Sequence, residues 1–190
     1  MDYKILFGII AICLSLSGYV FYFRSLFAGK TKPHAFSWLI WGVVSFIGFA
    51  VQVLEHAGPG AWANGFSAFG CFTVFIIALR RGERNITKGD WISLTAAGIS
   101  LLLWYLTKDP LFTVILITLI ELFGFFPTVR KSYHKPNEEN AILYFMCGLA
   151  YACTLIAMKT YIIATVLYPT ALVFLNWSFT IMLFWRRVKS

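Results

Sequence analysis

Seven stretches of the chain, 5–27, 36–54, 61–79, 91–106, 110–129, 140–158 and 161–185, run apolar for close to the length that crosses a bilayer. A helix rises about 1.5 Å per residue, so about 20 residues cover about 30 Å of hydrocarbon. Backbone groups in lipid must be satisfied within their own segment or in a closed barrel. Barrel strands alternate apolar and polar residues; these runs do not, so helices are expected. The breaks carry turn chemistry: Gly29-Lys30-Thr31-Lys32-Pro33, Gly58-Pro59-Gly60, Gly82-Glu83-Arg84-Asn85, Lys108-Asp109-Pro110 and Lys135-Pro136-Asn137. The chain is 59% hydrophobic and 13% charged, against about 25% charged in a soluble domain. A globule of this size cannot hide that much apolar surface, and disorder is excluded by the same numbers. The expected class is an all-α membrane protein of seven transmembrane helices, the first a retained helix rather than a cleaved signal.

Orientation follows from the loop charges. One side holds Arg24, Lys30, Lys32, Arg80, Arg81, Arg84, Lys88, Arg130, Lys131, Lys135, Arg186, Arg187 and Lys189; the other holds Lys4, Lys108 and Lys159. The N-terminus is therefore expected outside and the C-terminus in the cytoplasm. The net charge of +8 is topological and suits an anionic inner leaflet. No basic soluble module is present to bind nucleic acid. Cys13, Cys71, Cys147 and Cys153 fall inside spans with no metal-ligand spacing, so neither disulfide nor metal is expected. No cofactor is implied. The compact form suggests a bacterial inner membrane.

Sliding the chain against itself by 106 residues superposes Gly18 on Gly124, Arg24 on Arg130, Gly42 on Gly148 and Arg80-Arg81 on Arg186-Arg187. The matches fall on charges at helix ends and on glycines inside helices. Helices 1–3 thus pair with helices 5–7 in a parallel 3+1+3 internal repeat. The expected units are 1–84, the linker helix in 85–106, and 107–190.

That plan resembles the SWEET and PQ-loop (MtN3/saliva-like) transporters. Its local expression is Phe126-Pro127-Thr128-Val129-Arg130-Lys131-Ser132, with Thr128 where those proteins carry Gln. More distantly, Trp38-x-x-Trp41 resembles the tryptophan pair of the nicotinamide riboside transporters, which share the 3+1+3 plan. The resemblance implies transport of a small polar solute, sugar-like by preference, by alternating access. It implies Asn176 as a solute ligand in the third helix of the second repeat. It also implies proline hinges: Pro127 by motif position and Pro169 by analogy of fold.

The residues themselves supply polar faces at helical spacing. Helix 2 offers Trp38, Trp41, Ser45, Gly48 and Gln52; helix 3 offers Asn64, Ser67 and Cys71; helix 6 offers Tyr144, Gly148, Tyr151 and Thr154. Glu121 is the one ionisable side chain near the middle of a span. A carboxylate at that depth is protonated, paired or facing a wet cavity. Glu121 is the candidate for proton coupling, and Glu121, Asn176, Ser45, Trp41, Trp38, Asn64 and Tyr151 are the candidate solute ligands. His34, His56 and His134 fall in loops, where solvated charges are expected, although His134 beside Glu138 or Glu139 would suit a pH sensor. Ser93, Ala96, Ala97 and Ser100 give helix 4 a small-residue face for packing within or between protomers. The competing reading is a non-transporting seven-helix protein of the same fold: a channel, a receptor or an accessory subunit. A retinal protein would need a lysine within 161–185, and there is none. An enzyme would need a cluster of nucleophiles, carboxylates or metal ligands, which the spans lack.

Overall fold

A computed structural model describes residues 2–83, 85–107 and 109–189, apart from the side chains of Ser93, Ala97, Ser100, Leu101 and Trp104. Arg84 and Lys108 of the charge tally, and most of the small-residue face of helix 4, lie outside the described residues. The described residues form seven α-helices and no strand: α1 (Tyr3–Phe27), α2 (Ala35–Leu54), α3 (Trp62–Arg81), α4 (Lys88–Thr107), α5 (Pro110–His134), α6 (Ala141–Ala157) and α7 (Ile163–Lys189). Among the described residues, five apolar helical stretches are long enough to cross a membrane: Tyr3–Phe27, Ala35–Leu54, Gly58–Arg81, Pro110–His134 and Ile163–Lys189. α6 is apolar but has 17 residues, about 25 Å of rise.

The helix ends are written locally. Asp2 caps α1 by accepting from the Lys4 N–H, and Asp109 caps α5 by accepting from Phe112, with Pro110 in the first turn. Asn140 accepts from the N–H groups of Ile142 and Leu143 at the start of α6. Thr87 and Asp90 form a reciprocal capping box at the start of α4. α1 ends on Gly29 at φ 72°, where the Gly29 and Lys30 N–H groups return to the carbonyls of Leu26 and Ser25.

Packing arranges six helices in a ring. α3 lies between α1 and α2, and α7 lies between α5 and α6; α1 packs along α6, and α2 along α5. The ring order is α1–α3–α2–α5–α7–α6, with α4 outside it against α5. Exchanging α1, α2 and α3 for α5, α6 and α7 leaves this set of neighbours unchanged. Two glycines sit at equivalent close contacts, α1 with α6 and α5 with α2. A Cβ on Gly18 of α1 would lie 3.1 Å from Met146 Cβ of α6. A Cβ on Gly124 of α5 would lie 3.0 Å from Ile40 Cγ2 of α2. Small residues permit such packing where no hydrophobic effect drives helices together.

The interior holds Tyr22, Trp38, Ile47, Ile117, Leu143, Tyr168 and Leu183, all nearly inaccessible. Trp62, Trp91 and Trp185 stay exposed near helix ends, as interfacial anchors would. Trp38 and Trp41 are interior residues.

Candidate functional site

The interior of the ring contains a cavity of about 40 Å³ lined from both halves, room for roughly three waters. Its walls include Trp38, Trp41 and Ser45 of α2, Ser67 and Cys71 of α3, Glu121 and Phe125 of α5, Tyr144 and Tyr151 of α6, and Asn176 of α7. Six of the seven candidate ligands therefore meet on one cavity. Wider grooves exist, such as the one bounded by Phe27, Ile76 and Leu79, but those side chains face outward from the ring.

Glu121 is 3% exposed. Its Oε2 accepts from the Tyr168 hydroxyl at 3.0 Å. Ser45 Oγ lies 3.3 Å from the same hydroxyl. Because Tyr168 donates to Glu121, Ser45 is the donor to Tyr168. This chain links α2, α7 and α5 through one buried carboxyl. No lysine or arginine lines the cavity among the described residues. Tyr168 is absent from the residues expected on sequence grounds, because it resembles any other aromatic of an apolar helix. It lies three residues after Thr165 on the same helical face, and it falls 106 residues after Trp62, the shift of the internal repeat.

Asn176 lines the cavity while its Nδ2 donates to the Leu172 carbonyl at 2.8 Å. The residue 106 positions earlier is Gly70, and the Tyr19 ring occupies the space a side chain there would need. Tyr19 donates to the Ser67 carbonyl at 3.2 Å and lies 3.3 Å from Cys71 Sγ. One half thus presents an amide where the other presents a phenol. The remaining walls are aromatic. Trp38 packs edge-on to Trp41 at 5.2 Å between centroids, and Trp41 lies 4.8 Å from Phe125. The Trp41 indole N–H is buried without a hydrogen-bond partner among the described residues, whereas the Trp38 indole faces Tyr22 and the Tyr144 hydroxyl faces Glu139.

Asn64, the seventh candidate, is placed elsewhere. Its Nδ2 donates to Gln52 Oε1 at 2.7 Å, and Gln52 Nε2 donates to the Thr165 carbonyl at 3.1 Å. Pro169 lacks the N–H that would bond Thr165, four residues earlier in α7. Gln52 supplies the missing donor, so Asn64 acts on the α7 proline through Gln52 and not on the cavity. Pro127 is buried within α5. Thr128, one residue on, donates to Ser37 Oγ of α2 at 3.0 Å.

The end of the ring rich in Lys and Arg is held by charge. Lys131 Nζ reaches Glu139 Oε2 at 2.9 Å and the carbonyls of Lys32 and Glu138 at 2.5 and 3.2 Å, which uses all three of its donors. Lys32 pairs with Glu138 at 2.9 Å, and Lys135 with Glu83 at 3.2 Å. His134 is exposed and packs beside Tyr133; Glu138 and Glu139 are held by the lysines, so a His134 sensor does not form. His34 is no solvated loop residue. It is fully buried, with Nε2 3.2 Å from Asp90 Oδ2. The same oxygen accepts from Arg130 at 3.1 Å. Burial holds the His34 imidazole below its usual range, while the adjacent Asp90 carboxylate acts in the opposite direction.

Compared with known proteins, the chain matches no family model, no curated protein and no solved structure.

Proposed function

We propose that the chain is a transporter of a small polar solute, working by alternating access. Helices α1–α3 would rock against α5–α7 about the Glu121 cavity, with α4 as the connector of a 3+1+3 duplication. The observation that carries this reading is a buried carboxyl on a cavity walled by both halves of a ring whose neighbours are unchanged when the halves are exchanged. Transporter sites occur where repeats meet, near the midplane. The pairing of Lys32 with Glu138, 106 residues apart, supports a pseudo-two-fold axis between the two. The likeness to SWEET and PQ-loop proteins and the placement of the basic end in the cytoplasm belong to the same proposal. Among the described residues Glu121 has a hydroxyl partner and no basic one, which suits a group that gains and loses a proton during the cycle.

Cys71 and Cys147 line the cavity and carry free thiols, so the protein supplies its own reporters. In proteoliposomes, with Cys13 and Cys153 replaced by serine, both thiols should react with a membrane-impermeant reagent, and saturating solute should change the rate. Uptake of sugars, nucleosides and amines should be screened with and without a proton gradient. Saturable flux that loses its pH dependence in Glu121→Gln supports proton-linked transport. Unchanged pH dependence in that variant removes the coupling. Thiols inert from both sides, with no flux of any class, replace transport by a channel, receptor or accessory role.

A further inference from the structure

The cavity has a definite polarity. It offers one carboxyl, Glu121, and no lysine or arginine among the described lining residues. An ionised carboxylate buried without a counter-charge costs several kcal/mol, so a ligand that meets Glu121 as a carboxylate must bring one positive charge. The walls suit such a charge. Tyr19, Trp38, Trp41, Phe125, Tyr144 and Tyr151 line the same space, and an ammonium group over such faces is attracted by the ring quadrupole. A second requirement comes from a donor. The Trp41 N–H lines the cavity and is buried without a hydrogen bond among the described residues, and a buried donor left unmatched is costly. The ligand must therefore also carry an acceptor oxygen.

Charge and capacity limit what that oxygen belongs to. A carboxylate on the ligand would restore a net negative charge to a site with no basic side chain. A polyol would need many partners, yet Ser45 is bonded to Tyr168, Asn176 to its own helix, and Tyr19 to the Ser67 carbonyl. About 40 Å³ admits only a molecule of a few non-hydrogen atoms. We propose that the solute of this cavity is a small amino alcohol, with its ammonium group beside Glu121 and its hydroxyl oxygen toward the Trp41 donor. The proposal rests on the reading that the Glu121 cavity is the solute site.

The test is equilibrium binding of radiolabelled ethanolamine to the full chain purified in detergent, with competitors that each remove or add one feature. Ethylene glycol removes the charge, propylammonium removes the acceptor oxygen, glycine adds a carboxylate and glucose is a neutral polyol. Saturable binding should be displaced by unlabelled ethanolamine. Propylammonium should compete about tenfold more weakly, the loss expected for one hydrogen-bonding set. Ethylene glycol, glycine and glucose should compete more weakly still. Glu121→Gln should lose at least about tenfold in affinity at an unchanged melting temperature, and Glu121→Asp, which restores the charge, should recover part of it. Absence of saturable binding by the wild type overturns the proposal, as does competition by ethylene glycol, glycine or glucose equal to that of ethanolamine. Binding without flux in proteoliposomes would sink the transport reading and keep the site. Flux of a neutral sugar that ethanolamine does not inhibit would keep transport and sink the amino alcohol.

Discussion

The two ends of the ring close by different chemistry. At the basic end the α1–α2, α3–α4 and α5–α6 connections are held by charge: Lys32 with Glu138, Lys135 with Glu83, Lys131 of α5 with Glu139, and the His34–Asp90–Arg130 cluster that docks α4. At the opposite end the loops α2–α3 and α6–α7 meet through neutral groups and shape. The Lys159 N–H donates to the Ala57 carbonyl at 2.9 Å, Thr160 donates to the His56 carbonyl, and Gly60 lies against Met158. Next to that end, Asn64 and Gln52 tie α3 and α2 to the carbonyl released by Pro169. The comparison teaches that one ring can carry an end sensitive to pH and partner removal and an end sensitive to volume. Opening the first separates charges; opening the second breaks close packing and one polar chain.

The largest break should come from Lys131→Met. It strands Glu139, which is almost wholly buried, and loss of one partner of a buried pair costs about 3–5 kcal/mol. Thermal unfolding in detergent should show a large drop, substantially restored by adding Glu139→Leu; a single variant as stable as wild type would deny the pair its role. Next in size is Gly60→Val at the opposite end. A Cβ there would lie 2.5 Å from Met158 Cγ and 3.0 Å from Met158 Cα, and overpacking of this kind costs about 1–3 kcal/mol. Its melting point should fall without any new dependence on pH. Gln52→Leu follows, leaving the Thr165 carbonyl and the Asn64 amide without their partner at about 1–3 kcal/mol. It should also raise the reactivity of Cys71 and Cys147 toward an aqueous thiol reagent.

The smallest effect sharpens the contrast through pH. His34 titrates below its usual value of 6.5 in the folded protein, so folding favours the neutral ring. Asp90 faces it, with Arg130 and Lys131 acting on it electrostatically. The unfolded chain takes up the proton first as pH falls below 6.5. The stability that depends on neutral His34 is thus complete above that pH and declines below it. Melting temperatures measured from pH 7.5 to 5.5 should fall, and less steeply for His34→Gln. Equal slopes for the two proteins would take His34 out of the acid response.

Helix positions are largely legible in the amino-acid sequence. The expected stretch 36–54 corresponds to Ala35–Leu54, and 140–158 to Ala141–Ala157, because apolar length and turn residues are local signals. α5 runs on to His134, beyond the expected end at 129; its last turn is charged, and hydropathy cannot follow a helix out of the apolar region. Six candidate ligands reach one cavity because polar residues at helical spacing share a face. Asn64 does not, since Gln52 twelve residues away takes its amide and no spacing rule pairs residues on different helices. His34 departs from the solvated loop expected of it for the same reason: Asp90, 56 residues later, meets it in the interior.

By itself the sequence determined a helical chain with helices suited to a membrane, the stretches of chain those helices occupy to within a few residues, and the isolation of one acid among apolar neighbours. Periodicity, caps and hydropathy act within a few residues, so a linear reading captures them. Only the tertiary structure decided that α3 stands between α1 and α2, that Tyr168 and Ser45 hold Glu121, that Tyr19 fills the space above Gly70, and that Gln52 answers the carbonyl Pro169 leaves free. Each of these is a contact between helices. Such contacts are chosen by shape and hydrogen-bond satisfaction across the whole ring, and no single segment of the chain contains that information.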